Sequence, residues 1–389
     1  MYLRRFQDLE NMGRPIRVGL VGLGAMGKGI AFNIHKTPGL DLVCVGDIDP
    51  GQFDALQQII PSSRHTTTVN CAEVAESPDI DIFIEASSSI TMGLFYSEKA
   101  IESGHHLLLM NSEVDCFFGP GLYSMAQDKG VIMSSTDGDQ YGVLIKLMEE
   151  IELMGLRPLM IGNIKGFLNR YANPDTIGHE ADIRNLDHEM CVTYTDGTKL
   201  AVEMAILSNA TGFVPYNGTM EGPRMERVEE VLDYYDFERI SKEPVVEYIL
   251  GAQPDGGVFI VAECHDDYQR AMLKYYKMGD GPYYVFYRPY HLCHLETAYA
   301  IGRIFFDNQP LLVPSKGRVA NVYALAKRDL RPGDVLDGPG RFTVYGEAAL
   351  QSDIESNGWM LIHEVAGCRV INPIERDQPI CHRDVVIRN

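Results

Sequence analysis

The chain has 389 residues and a formal net charge of −20 at pH 7. This length exceeds what one hydrophobic core usually supports, so we expect two or three domains. The acidic excess argues against a nucleic-acid partner, whose phosphates would be repelled, but a small anionic substrate is not excluded because a few arginines and lysines can outweigh it locally.

The apolar segments and the cysteines indicate the cellular setting. No apolar run approaches the roughly 18 residues that a membrane helix needs, and residues 1–15 lack the apolar centre of a signal peptide. The eight cysteines contain no CxxC pair and predict reduced thiols, mostly in packed positions. We therefore expect a soluble, cytoplasmic protein that does not bind a membrane.

A glycine-rich turn follows the first predicted strand. The apolar run 16–21 meets Gly22, Gly24 and Gly27 in the spacing G-x-G-x-x-G, and residues 26–35 resemble a helix. The first glycine allows a tight turn, the second lets the backbone approach a pyrophosphate, and the third lets the helix pack on the strand. The pattern predicts a dinucleotide site, with a glycine-rich turn that binds no ligand as the alternative.

An acidic residue ends the second predicted strand. The run 41–46 leads to Asp47, twenty residues beyond Gly27. A carboxylate accepts hydrogen bonds from a free ribose 2′-hydroxyl and repels a 2′-phosphate, so we predict NAD rather than NADP. The predicted cofactor contacts are Gly22, Leu23, Gly24, Ala25, Met26, Gly27, Asp47, Ile48, Ala86, Ser87, Ser88 and Asn111.

Strand and helix patterns alternate as far as about residue 155. The further strands predicted here are 81–85, 105–110 and 131–135, and the helices are 53–60, 92–103, 120–129 and 141–154. Apolar strands joined by helices predict an α/β fold with a doubly wound parallel Rossmann sheet over residues 1–156. Ligands bind outside the carboxyl ends of such strands, so the loops that follow them should line the site.

The pattern changes after this region. Between residues 157 and 317 we predict a strand in PLMIGNIKG, a β-hairpin about an Asp196-Gly197 turn, a strand in YYVFYRPYHL and a helix in ETAYAIGRIFF. This indicates an α+β substrate domain whose open sheet also forms a homodimer or homotetramer. Residues 318–389 contain short strands separated by Pro-Gly, Gly-Pro and Asp-Gly turns without a helical period, which predicts a small β-rich domain.

Several longer strings resemble known families. ALAKRDLRPGDVL resembles the SAF module, a small β-clip domain. KGFLNRYANPDTIGHEADIRN, VEMAILSNATGFVP, MEGPR and GPYYVFYRPYHL-x-x-LE resemble the homoserine-dehydrogenase-like family that contains the 1-deoxy-D-xylulose 5-phosphate reductoisomerase-like enzymes. The resemblance implies an NAD(P)-dependent oxidoreductase with a small-molecule substrate.

Two positions depart from the patterns of this family. Homoserine dehydrogenases of this kind have Ala-Asn-Lys after the fourth strand, whereas residues 110–113 read Met-Asn-Ser-Glu, so homoserine activity is not expected. The NADPH-using reductoisomerase-like members carry an arginine where this chain has Asp47. The second departure again favours NAD.

Polar residues near the predicted strand ends are candidates for the chemistry. Lys165 ends a strand and can donate a proton to a developing alkoxide, although a solvated lysine is the alternative. Arg288 and His291 are interpreted as substrate contacts, with a structural Arg–Glu pair as the alternative. The predicted catalytic and substrate residues are Lys165, Asp139, Glu113, Asn169, Arg288 and His291, with Asn209 and Arg224 as further contacts.

Two clusters resemble metal sites. Asp137, Asp139 and Glu113 offer oxygen ligands for a divalent cation, but Gln140 stands where the reductoisomerase-like string has a glutamate. The string HxCHxE at 291–296 contains possible zinc ligands, yet in a strand its two histidines would point to opposite faces. We therefore predict no bound metal.

These features together predict an NAD-dependent oxidoreductase that acts on a small polyhydroxylated carbonyl compound, such as a sugar or sugar-acid derivative, phosphorylated or not. One alternative is a reductoisomerase that couples a ketol-type rearrangement to reduction. The other is a non-catalytic NAD-binding protein with a regulatory or assembly role.

Overall fold

The computed structural model describes residues 2–184 and 187–386. It divides into two compact units, which we describe separately. Unit 1 comprises Met1–Val143 and His291–Ser315, and unit 2 comprises Leu144–Tyr290 and Lys316–Asn389. This division differs from the expected domain order because residues 291–315 return to the first unit and residues 316–389 belong to the second. A separately folding domain at residues 318–389 stays a prediction.

Strands and helices alternate through the first unit and mix irregularly in the second. The strands are β1 (Ile16–Val21), β2 (Leu40–Gly46), β3 (Thr66–Thr68), β4 (Ile82–Glu85), β5 (His106–Leu109), β6 (Met133–Ser135), β7 (Arg157–Lys165), β8 (Val214–Pro215), β9 (Val245–Leu250), β10 (Gly257–Glu263), β11 (Tyr283–Arg288), β12 (Ala320–Ala326), β13 (Val344–Leu350), β14 (Arg369–Val370) and β15 (Val385–Val386). The helices are α1 (Tyr2–Asn11), α2 (Ala25–Lys36), α3 (Gly51–Ile59), α4 (Cys71–Ala75), α5 (Ile90–Glu102), α6 (Ser112–Lys129), α7 (Gln140–Leu153), α8 (Pro174–Arg184), α9 (His188–Asp196), α10 (Thr198–Thr211), α11 (Val231–Tyr234), α12 (Phe237–Ile240), α13 (Asp267–Tyr275), α14 (Thr297–Asp307) and α15 (Gln351–Asn357).

Unit 1 is built on a six-stranded parallel sheet in the order β3-β2-β1-β4-β5-β6. Val18 and Leu20 of β1 pack in one core with Ile30 of α2, while Phe83 and Leu107 belong to a second core. Cores on both faces confirm the predicted doubly wound sheet. The order of the strands reverses between β1 and β4, the point where such sheets bind their ligands.

Unit 2 contains a five-stranded mixed sheet in the order β11-β10-β7-β9-β8. β10 runs antiparallel to β7 and β11, whereas β9 runs parallel to β7 and β8. Two antiparallel pairs, β12 with β13 and β14 with β15, complete the unit. The C-terminal segment is β-rich as predicted, but it also contains the short helix α15.

The predicted hairpin about Asp196-Gly197 is wrong. This segment forms two helices, α9 and α10, and Gly197 joins them in the left-handed conformation with φ +94°. All residues of α10 from Thr198 to Asn209 are buried. A helix buried on every side has no polar face, so its sequence shows no helical period and resembles a buried strand.

Two predictions from composition can be compared with the structure. None of the eight cysteines forms a disulfide, and seven of them, Cys44 of β2 included, are buried, as expected for reduced packing residues. Within the described residues, every helix is too short or too polar to cross a lipid bilayer.

Candidate functional site

The glycine turn between β1 and α2 has the geometry that its sequence predicts. Gly22 has φ +91°, and a Cβ at this residue would lie 2.4 Å from the carbonyl group of Ala86. A Cβ at Gly27 would lie 1.8 Å from the carbonyl oxygen of Gly22, so only glycine allows this contact between the helix and the turn. A Cβ at Gly24 would meet nothing within 4 Å, which leaves the backbone open to a ligand.

The N-terminus of α2 is free to bind an anion. Gly24 is its N-cap residue and provides no side-chain hydrogen bond to the first turn. The first N–H groups of a helix lack intrahelical partners, and the helix dipole adds a partial positive charge there. The residues at this end therefore fit a pyrophosphate group.

Asp47 lies beside this turn at the end of β2. Its Oδ2 accepts a hydrogen bond of 2.6 Å from the Leu23 N–H, and its Oδ1 accepts one of 2.9 Å from the Asp49 N–H. Each carboxylate oxygen can accept a second hydrogen bond, so the group can still bind ribose hydroxyls. The two backbone contacts hold Asp47 in place next to the glycine turn.

A cavity of about 430 Å³ opens along this edge of the sheet. Of the predicted cofactor contacts, it is lined by Gly22, Gly24, Asp47, Ile48, Ala86, Ser87 and Ser88. Ala25 and Met26 lie in the first turn of α2, whereas the Leu23 side chain and Gly27 are buried. The cavity thus joins the glycine turn, the acidic residue and the loop after β4.

Asn111 has a different role from the other predicted contacts. Its Oδ1 accepts a hydrogen bond from the Val114 N–H at the start of α6, and its Nδ2 donates to the Ser87 carbonyl oxygen at 2.8 Å. The side chain is 5% exposed. Asn111 therefore holds the loop after β4 against α6, and a direct contact with the cofactor stays a prediction.

Glu85 lies beneath the same loop. This carboxyl group is 0% exposed, and its Oε1 accepts a 2.8 Å hydrogen bond from the Ser87 N–H. Burial raises its pKa to about 7, although the hydrogen bond from Ser87 lowers it. The sequence predicts Glu85 at the start of the loop after β4, but nothing in the sequence indicates that its carboxyl group is buried.

Three of the residues weighed for chemistry or metal binding meet at another point of unit 1. Asp139, His291 and Cys293 offer ligand atoms that all lie within 4.8 Å of one another. The strand expected through residue 292 ends at Arg288, and turns follow it. The strand argument, which separated His291 from His294, therefore does not apply to these residues, and His294 is not part of the group. Glu113 begins α6 and is absent from this group of described residues.

In unit 2, strand register aligns two predicted residues, Lys165 and Arg288, on one face of the mixed sheet. Val258 is the register partner of both Arg288 and Asn163, and Asn163 is also the partner of Tyr248. Lys165 lies two residues beyond Asn163, so its side chain leaves the same face. Lys165 and Arg288 are both half-buried at one edge of the sheet.

The loop after β7 carries Asn169. This residue is exposed, its N–H donates to the Thr195 carbonyl oxygen at 2.8 Å, and its Oδ1 accepts from the Tyr171 N–H. Neighbouring Arg170 forms an ion pair with Glu347. Asn169 and Arg170 both line a cavity of about 320 Å³. Asn169 can therefore reach a ligand, whereas the cation of Arg170 is already paired.

The two further contacts expected in unit 2 have different environments. The amide oxygen of Asn209 accepts hydrogen bonds from the N–H groups of Val319 and Ala320, at 2.8 and 3.1 Å. Asn209 is 1% exposed, so this structural role replaces the substrate contact that we expected. Arg224 is exposed, and a substrate contact through it stays a prediction.

Sequence reasoning also missed two charged residues on α10. Lys199 and Glu203 are one helical turn apart and are only 5% and 2% exposed. Buried charges are uncommon outside functional sites and ion-pair networks, so both are candidates for function. Their spacing of four residues in an apolar string was the available signal, but the segment was interpreted as a hairpin.

Comparison with known proteins shows that the middle of the chain matches an oxidoreductase family model. Residues 138–297 match the family model described as "Oxidoreductase DRL, catalytic domain", which is less than half of the chain. The homoserine dehydrogenase of Pseudomonas aeruginosa is 27% identical over 165 residues, which is 41% of this chain and 37% of that protein. The resemblance to homoserine dehydrogenases is thus confirmed over part of the chain, which spans well under half the length of this relative.

Solved structures resemble the chain more weakly. A putative myo-inositol dehydrogenase from Sinorhizobium meliloti is 11% identical, with 78% of this chain and 93% of that chain covered and a TM-score of 0.45. The WlbA dehydrogenase from Bordetella pertussis, solved with NADH and UDP-GlcNAcA, is 15% identical, with 52% and 61% covered and a TM-score of 0.38.

Proposed function

We propose that the protein is an NAD-dependent oxidoreductase acting on a small polyhydroxylated carbonyl compound, a sugar or sugar-acid derivative. The observation that carries this proposal is the uncapped N-terminus of α2 beside Asp47, at the rim of a cavity of about 430 Å³. The match of residues 138–297 to an oxidoreductase catalytic domain supports it. The names of the solved dehydrogenases agree with a sugar-like substrate.

The residues of unit 1 divide the work of holding the dinucleotide. The N–H groups at the start of α2 bind the pyrophosphate, and Asp47 binds the hydroxyls of the adenosine ribose. Ser87 and Ser88 lie where the loop after β4 borders the cavity and donate hydrogen bonds to the nicotinamide half. NAD supplies the hydride acceptor, or in its reduced form the donor, for a substrate C–OH or C=O group.

Residues of unit 2 bind the substrate and move its proton. Lys165 holds a proton at Nζ for the substrate oxygen, and Arg288 on the same face of the sheet binds an anionic or hydroxylated group. Asn169 offers an exposed amide for substrate hydroxyls. The chain thus supplies the proton donor, whereas the cofactor carries the hydride.

The test is turnover with a panel of sugars, sugar acids and their phosphates in the presence of NADH or NAD. We expect NADH oxidation with at least one carbonyl compound, and about a 100-fold loss of kcat in Lys165→Ala if general acid catalysis contributes its usual share. Lys274→Ala is the matched control because Lys274 is exposed and pairs only with Asp280 among the contacts seen. Cofactor binding without any turnover would instead favour a non-catalytic NAD-binding protein.

A reductoisomerase is the second candidate function. It must hold an α-hydroxyketone through both oxygens, and the group formed by Asp139, His291 and Cys293 is the observation in its favour. Incubation of NADH with 1-deoxy-D-xylulose 5-phosphate, with and without a divalent metal, tests it. NADH oxidation on that substrate alone would reverse the ranking of the two functions.

We propose the SAF-like identity of residues 318–389, a homodimeric or homotetrameric assembly and a cytoplasmic location on the sequence alone. Light scattering of the purified protein tests the assembly.

A further inference from the structure

The chain brings an oxygen, a nitrogen and a sulfur ligand together in unit 1. Cys293 Sγ lies 3.5 Å from His291 Nδ1 and 3.7 Å from Asp139 Oδ1, and the two latter atoms are 4.0 Å apart. We call these residues the ligand triad. Each pair among them is a weak contact, and Asp139 Oδ1 also accepts a 2.8 Å hydrogen bond from the Gln140 N–H.

Two loops that are far apart in the sequence are held together to form the ligand triad. Asp139 follows β6 and precedes α7, whereas His291 and Cys293 lie in the turns before α14. Gly138, the residue before Asp139, has φ +88°, and a Cβ there would lie 2.4 Å from the carbonyl oxygen of Leu292 in the other loop. Glycine is therefore required for the two backbones to approach each other at this point.

The dimensions of the ligand triad match those of a zinc site. A tetrahedral zinc ion with bonds of about 2.0–2.3 Å holds its ligand atoms about 3.3–3.8 Å apart. The 3.5 and 3.7 Å separations of Cys293 Sγ fall in this range, and the 4.0 Å between His291 Nδ1 and Asp139 Oδ1 must shorten by about half an ångström. Small side-chain rotations therefore suffice to bind an ion. The mixture of carboxylate, imidazole and thiolate is typical of zinc, whereas magnesium and calcium prefer oxygen ligands alone.

The charges of the ligand triad also favour a cation. The side chain of Asp139 is 5% exposed and its Oδ1 faces both the thiol and the imidazole. A divalent cation would compensate both anionic ligands.

We propose that Asp139, His291 and Cys293 bind one zinc ion whose fourth position is open to an oxygen of the substrate. Three protein ligands and one open position are the arrangement of catalytic zinc sites. The ligand triad lies at the carboxyl edge of the parallel sheet, the same edge that carries the glycine turn. Binding of the substrate oxygen rests on the proposed function, whereas binding of the ion does not.

Cobalt(II) substitution tests the ion site without any assay of activity. The full-length protein is stripped with a chelator and titrated with cobalt(II). We expect one ion per chain, an absorption band in the near ultraviolet from thiolate-to-cobalt charge transfer, and displacement of the cobalt by one equivalent of zinc. A titration of the wild-type protein that gives no thiolate band would overturn the proposal, whatever the variants do.

Variants assign the band to the ligand triad. Cys293→Ser should abolish it, and Asp139→Asn should weaken cobalt binding by at least about 10-fold, the smallest loss seen when even an outer partner of a metal site is removed. Cys381→Ser is the matched control because Cys381 is buried in unit 2, and it should keep the band. The same band in Cys293→Ser would contradict the assignment.

Two additional measurements separate this inference from the proposed function. NADH binding, followed by its fluorescence, reports the cofactor site alone, so NADH binding without a cobalt site defeats only the present inference. Hydroxyacetone, an α-hydroxyketone, should change the visible spectrum of the cobalt protein if an oxygen enters the open position. A spectrum that the ketone leaves unchanged would overturn the substrate contact and leave a structural ion.

Discussion

Glu85 in the sheet of unit 1 and Glu247 in the sheet of unit 2 are both buried, and the two differ in how the protein bonds them. Glu85 of β4 and Glu247 of β9 are both 0% exposed, and burial raises the pKa of each to about 7. Glu247 accepts hydrogen bonds from the N–H groups of Glu221, Gly222 and Tyr248, so both of its oxygens are bonded. Glu85 accepts one from the Ser87 N–H, and no described residue donates to its Oε2 with ordinary geometry.

The difference shows what each buried carboxyl group does. Glu247 fixes the backbone of residues 221–222 against β9, and both of its oxygens serve the fold. Glu85 lies under the loop that borders the cofactor cavity and keeps one oxygen without such a donor. The hydrogen bonds of Glu247 therefore stabilise unit 2, whereas the charge of Glu85 affects the neighbouring loop of unit 1.

The largest expected effect comes from a buried ion pair in unit 2. Lys327 Nζ lies 2.8 Å from Asp196 Oδ2 and also donates to the carbonyl oxygens of Ala172 and Arg341. Lys327→Met leaves these groups without their cation, so we expect a loss of about 3–5 kcal/mol in the free energy of unfolding. Urea denaturation of the purified protein measures it. A loss below about 1 kcal/mol would show that unit 2 does not depend on its buried polar contacts.

A smaller effect, with a pH dependence, is expected from Glu85→Gln. The folded state binds this proton more tightly than the unfolded state does, since the pKa rises from 4.5 to about 7. The stabilisation is complete below pH 4.5 and is lost as the pH rises to about 7, by about 3 kcal/mol in total. The glutamine variant should therefore lose less stability between pH 5 and 8 than the wild type, as thermal denaturation at several pH values would show. An unchanged pH profile would contradict the role given to Glu85.

Glu247→Gln has the smallest expected effect and tests the comparison between Glu85 and Glu247. The amide nitrogen of glutamine cannot accept the N–H groups that both carboxylate oxygens now accept, so at least one backbone donor loses its partner. At pH 8 each glutamine variant avoids a buried ionised carboxylate and should therefore be more stable than the wild type. This gain in the free energy of unfolding should be about 2 kcal/mol smaller for Glu247→Gln than for Glu85→Gln. Equal gains in the two variants would show that the hydrogen bonds of Glu247 have no stabilising effect.

Local sequence signals account for most of unit 1. The bounds of β1 agree with the predicted 16–21, because an apolar strand before a glycine turn has a clear pattern. β3 was missed because its three threonines are largely exposed at the edge of the sheet and carry no apolar signal. The glycine turn and Asp47 were predicted from spacing alone, since the whole motif lies within about thirty residues.

The rest depends on contacts between distant segments. The fully buried α10 shows no helical period, so its charged residues Lys199 and Glu203 were not recognised. Asp139 and Cys293 meet across 154 positions of the chain, and no pattern in either loop indicates the other. A single sequence identifies a ligand site that one short segment forms, but not a site assembled from remote loops.

We propose that Asp47 selects NAD over NADP, and the ratio of the dissociation constants for NADPH and NADH measures this selectivity. Isothermal titration should find NADH bound at least about 10-fold more tightly, and the ratio should fall towards one in Asp47→Asn because the repulsion of the 2′-phosphate is removed. Asp41→Asn, an exposed carboxylate of the same strand, should keep the wild-type ratio. Binding of NADPH as tightly as NADH by the wild-type protein would contradict the account.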